Sequence, residues 1–149
     1  MKQLLKFFSA LLLVFSFSGV HAAPSEKDAQ TLVEKAGAYV KANGKDKFLA
    51  EVMNKSPEWN NTELYVFAYD LSGTLVADPN PKMVGKNMYD VPDVDGKLFR
   101  KEIIDGAKSK GNGWVDYRFK NPSTGTIDAK TAFFLKVADI VLVAGIYKK

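Results

Sequence analysis

Tyr65, Phe67 and Tyr69 alternate along Leu64–Asp70, and Val115, Tyr117 and Phe119 alternate along Gly113–Lys120. Phenols and rings sharing one face of a strand suit recognition rather than bond making. The rings supply an apolar wall, and each hydroxyl supplies a directional hydrogen bond. Arg118 alternates with Tyr117 and should point away from that face. Trp114 is a candidate ligand platform or packing anchor. Residues for covalent and metal chemistry are scarce. The chain has no cysteine, and its one histidine, His21, lies in an apolar leader. Thiol chemistry, disulfides, histidine-ligated zinc, ordinary haem ligation and Ser-His-Asp catalysis are excluded together. No enzyme activity and no cofactor is expected. A pocket for a small carboxylate needs less: a cation or several donors beside an apolar wall.

The elements that must position these residues follow from periodicity. Ser25 and Asp28 form a capping box before a helix with Ala29, Leu32, Val33, Ala36, Tyr39 and Val40 at helical spacing. Asn43-Gly44 stops it, and Phe48, Leu49, Val52 and Met53 predict a short second helix. Leu64–Asp70 and Thr74–Ala77 predict a hairpin around Ser72-Gly73, with Asp70 capping the turn. Asp78-Pro79-Asn80-Pro81 breaks regular structure. A helix is predicted from about Lys97 to Lys110, with Leu98, Phe99, Ile103 and Ala107 inward. Strands follow at Gly113–Lys120, Ile127–Val137 and Ile140–Tyr147. The acidic run Asp90–Gly96 is read as a turn: with Gly96 at position six of a calcium loop, position one would be Val91, which has no ligating side chain. Helices, two strands, a helix and three strands predict an α+β fold, an antiparallel sheet with helices on one face.

Residues 1–22 read as a secretory signal. Lys2 and Lys6 precede an apolar run from Phe7 to Val20, and Val20-His21-Ala22 supplies small residues for cleavage. Residues 23–149 form one expected domain, exported to the periplasm. Without Lys2 and Lys6 the 21 basic residues fall to 19 against 17 acidic, a net charge of +2. The lysines are scattered among acids, so no nucleic-acid face is expected.

Several motifs carry a resemblance. The hairpin Tyr65, Phe67, Asp70, Gly73 is followed by a proline-rich corner, Val84-Gly85-Lys86-Asn87 and Asp95-Gly96-Lys97. Gly113-Trp114-Val115-Asp116-Tyr117 and Gly145-Ile146-Tyr147 complete the series. In this order they resemble the single Cache family, extracytoplasmic sensor domains of chemoreceptors and histidine kinases. The resemblance implies a long N-terminal helix, a PAS-like sheet and a pocket for a short organic acid. It also implies a partner: a membrane receptor, a histidine kinase or a second copy of the chain. Lys130 matches the family's cation on the penultimate strand. The family often places a tyrosine and a second lysine where this chain has Phe133 and Leu135, which implies a more apolar pocket. Phe119 stands where the family often has tryptophan. The ligand-binding set is Tyr65, Phe67, Trp114, Tyr117, Phe119, Lys130 and Phe133. Phe133 and Leu135 also support an alternative, an interaction module that kept the fold and lost the pocket.

Overall fold

The computed structural model describes residues 22–61 and 63–149. The leader read from residues 1–22 therefore falls, apart from Ala22, outside the described residues. Helix α1 spans Glu26–Asn43 and α2 spans Lys45–Met53. The capping box forms: Asp28 N donates to Ser25 Oγ at 3.3 Å, and Ser25 N donates to Asp28 Oδ2 at 2.8 Å. Gly44 ends α1 with φ of 89°, a left-handed conformation that other residues adopt at a cost.

Six strands follow: β1 (Asn60–Asn61), β2 (Leu64–Asp70), β3 (Leu75–Ala77), β4 (Asn112–Lys120), β5 (Ile127–Val137) and β6 (Ile140–Tyr147). A 3₁₀ turn, Pro81–Met83, and helix α3, Phe99–Lys110, lie between β3 and β4. The sheet order is β1-β2-β6-β5-β4, with β3 also paired to β2, and every pair is antiparallel. The last strand thus lies in the centre of the sheet. Ile140, Val141, Leu142, Val143 and Ala144 are all buried, so β6 is covered on both faces.

The helices consequently lie on both faces rather than one, within the expected α+β class. Helices α1 and α2 pack Val33, Ala36 and Phe48, with Trp59 of the segment after α2, against Val66, Phe133, Leu142 and Ala144. Helix α3 packs Phe99, Ile103, Ile104 and Ala107 against Tyr69, Val115, Phe134, Val141 and Val143. Adjacent residues such as Phe133 and Phe134 must point to opposite faces. A strand with large apolar groups at both needs two covering layers. Contact with α3 is close: a Cβ on Gly106 would fall 2.7 Å from the Phe134 ring, and one on Gly113 would fall 2.9 Å from it.

Strand β4 is a sheet edge, and the segment before α3 covers it. Lys97 Nζ donates to Asp116 O at 2.6 Å, and Arg118 N donates to Asp93 Oδ2 at 3.0 Å. The other oxygen of Asp93 accepts from Asp95 N and Lys97 N, each at 2.9 Å. Engaged edge groups cannot template pairing with another chain. The turn also delays the start of α3 to Phe99, because Lys97 O accepts from Asp93 N at 2.9 Å instead of opening the helical ladder.

Candidate ligand-binding site

On the α3 side, β2 presents Tyr65, Phe67 and Tyr69, and β4 presents Tyr117 and Phe119. These residues wall a cavity of about 200 Å³. Lys130 of β5 enters beside Tyr117, its partner in the strand register. Asp78 and Asn80 follow β3, and Phe99 and Arg100 come from the first turn of α3.

The tip of the β2–β3 hairpin holds the loop that closes one side. Asp70 Oδ1 accepts from Ser72 N at 2.8 Å and Thr74 N at 2.9 Å, as its place before Ser-Gly predicted. Gly73 has φ of 89°, and a Cβ there would meet Tyr89 Cβ at 2.7 Å. Only glycine meets both demands. Met88 N donates to Gly73 O at 2.9 Å, which places the Met88 side chain in the cavity wall.

Lys130 is 2% exposed. Its ammonium lies 4.8 Å from the Tyr147 ring centre, 5.0 Å from that of Tyr65 and 5.6 Å from that of Phe119. Three aromatic rings around a cation offset part of its lost hydration. The Nζ–Tyr65 Oη hydrogen bond is long, at 3.4 Å. Burial lowers the Lys130 pKa to about 8, with the Asp78 charge opposing the shift. Burial also pushes the Asp78 carboxyl up, against the Asn80 N–H and Lys130. Asn80 N donates to Asp78 Oδ1 at 2.7 Å. Each charge of this pair is thus penalised by desolvation and supported by the other.

Arg100 is 6% exposed. Its guanidinium stacks 4.2 Å over the Phe99 ring, and Nη1 donates to Val91 O at 3.0 Å. Its Nε has no hydrogen-bond partner among the described residues. A buried guanidinium N–H left unpaired is costly, and Arg100 is among the residues that line the cavity. Phe99 and Tyr117 stack at 3.9 Å with planes 3° apart. Burial holds the Tyr117 phenol well above its ordinary pKa, so it stays a protonated donor.

The structure thus gathers Tyr65, Phe67, Tyr117, Phe119 and Lys130 around one cavity. Trp114 and Phe133 are not part of it. Their rings pack on each other at 5.2 Å, and Phe133 belongs to the α1 core. Leu135 also faces α1, where a Cβ on Gly37 would meet it at 2.8 Å. Neither Phe133 nor Leu135 makes the cavity more apolar. Sequence reasoning missed Arg100 and Asp78. Arg100 was findable, since it precedes Ile103 by one helical turn and Ala107 by two, and so shares the apolar stripe. Leu98, taken as inward, is 36% exposed at the helix cap. Asp78 gave no periodic signal, being next to proline in a loop. A larger hollow of about 330 Å³ opens beyond Tyr65 and Tyr147, but none of its charged residues is buried.

A sequence profile of the Single Cache domain 2 family matches residues 22–149. The chain belongs to this family. Single Cache domains are sensor domains of chemoreceptors and histidine kinases, not enzymes. A sensor histidine kinase of Rhizobium johnstonii is 35% identical over 74 residues, 49% of this chain and 16% of the kinase. A methyl-accepting chemotaxis protein from Vibrio parahaemolyticus shares the fold with a TM-score of 0.69 at 21% identity. That match covers 81% of this chain and 86% of the other. A Cache chemosensory domain described for carboxylic acid recognition aligns with a TM-score of 0.63 at 23% identity, covering 83% and 88%. For this Cache domain the likeness establishes the PAS-like architecture. Among its described residues, no helix is long and apolar enough to cross a membrane.

Proposed function

We propose that this Cache domain is a periplasmic sensor module that binds a short organic acid and acts through a partner protein. The observation that carries the reading is a cavity lined by two buried cations, Arg100 and Lys130, with Arg100 Nε left unpaired among the described residues. Tyr65 and Tyr117 offer hydroxyls to a carboxylate, and Phe67, Phe99 and Phe119 offer an apolar wall to its carbon chain. A structural neighbour described for carboxylic acid recognition supports the ligand class. The partner is a membrane receptor, a histidine kinase or a second copy of the chain. The interaction-module alternative rested on Phe133 and Leu135, and both face α1.

The ligand's size bounds its affinity. At a ceiling of about 1.5 kcal/mol per heavy atom, a four-atom acid gains at most about 6 kcal/mol, a Kd of some tens of micromolar. Calorimetry against a panel of short acids should find one or more binding between micromolar and millimolar. Arg100→Met should weaken that binding on the order of tenfold or more, by removing a charge-assisted bond. Silence from every acid at about 10 mM, on the order of 100-fold above that bound, would overturn the reading.

A further inference from the structure

Volume does not select among small acids in this cavity. About 200 Å³ is the share of roughly seven waters at ~30 Å³ each, room for a mono- or a dicarboxylate of three or four carbons alike. Charge does select. Among the described residues the lining carries two cations, Lys130 and Arg100, against one carboxylate, Asp78. Asp78 offsets Lys130 and leaves a surplus of one positive charge, at Arg100. A monoanion cancels that surplus.

A dianion does not. Its second carboxylate would enter a small cavity that already holds a carboxylate, and like charges at short range resist joint ionisation. Asp78 cannot easily withdraw. It follows the buried Ala77 at the end of β3, lies between that strand and Pro79, and is held by Asn80 N at 2.7 Å. The other charged groups facing this space are cations, and the remaining polar ones are phenols and Asn80. Resting on the organic-acid reading above, we propose that Asp78 sets the charge of the ligand, admitting monocarboxylates and rejecting dicarboxylates.

The test uses calorimetry near neutral pH, where both carboxylates of a dicarboxylic acid are largely ionised. Matched pairs are acetate with malonate and propionate with succinate. The proteins are wild type, Asp78→Asn and Asp78→Ser, with thermal melts to establish folding. Asp78→Ser keeps an oxygen that can accept from Asn80 N. Wild type should favour the monocarboxylate on the order of tenfold or more, and removing the charge should erase or invert that preference. Equal or tighter binding of dicarboxylates by wild type would overturn the proposal. So would an unchanged preference in whichever variant folds, with the organic-acid reading left standing in both cases. If wild type binds neither member of any pair, both readings fall together.

Discussion

At the scale of the residue, Lys130 and Arg100 carry a cost that packing alone does not require. A buried ammonium disfavours its own charged form, and the folded-state pKa of Lys130 falls from 10.5 to about 8. Between these values the unfolded chain binds more protons than the folded one, so stability rises with pH across the window. Unfolding measured from pH 8 to 10 should show a gain of about 2 kcal/mol in wild type, absent in Lys130→Met. Tyr65, Tyr69 and Tyr117 act in the opposite direction, but only above pH 10, because burial raises their phenol pKa values. A flat difference between the two proteins over pH 8 to 10 would show that Lys130 does not titrate as a buried group. Lys130 and Tyr117 were legible in the sequence through motif and alternation. Arg100 was visible only as a charge on an apolar stripe.

The elements set how these charges meet. Phe134 is held between Gly106 of α3 and Gly113 of β4, and either glycine would clash with the ring if it gained a Cβ. That close approach sets the height of α3 above the sheet, and with it the place of Phe99 and Arg100. Alanine in a helix is favoured over glycine by about 1 kcal/mol, but overpacking costs about 1–3 kcal/mol. Gly106→Ala should therefore destabilise the domain by about 1 kcal/mol in chemical denaturation. Adding Phe134→Leu should remove the clash, so the two substitutions together should cost less than their sum. Additive costs would argue against this contact. Strand and helix boundaries were largely readable, because capping and alternation are local signals. β5 and β6 fall at the expected residues, and α1 starts at its capping box. The start of α3 was not readable, because Lys97 is bound through Asp93, which also binds β4.

For the whole molecule, a ligand of the cavity and the fold would stabilise each other. The cavity draws on β2, β4, β5, α3 and the segment after β3, so unfolding destroys the site. A ligand at about 100 times its Kd adds about 2.7 kcal/mol by mass action. The melting temperature should rise by several degrees with the acid that calorimetry identifies, and by less in Arg100→Met at the same ligand concentration. A wild-type melting curve unmoved by a saturating acid would show that the acid does not bind the folded state in preference to the unfolded one.

The sequence by itself determined the class of the domain and the kind of chemistry open to it. Composition removed thiol and imidazole chemistry from residues 23–149, and period-two and helical spacing set the elements. These are properties of neighbours along the chain. Only the tertiary structure decided which aromatic residues share a cavity. The last strand enters the centre of the sheet, which puts helices on both faces and sends Phe133 to one side and Lys130 to the other. It also brings Asp78 and Arg100, 22 residues apart in sequence, to the same cavity as Lys130. Desolvation and charge balance act through space, and no local pattern records them.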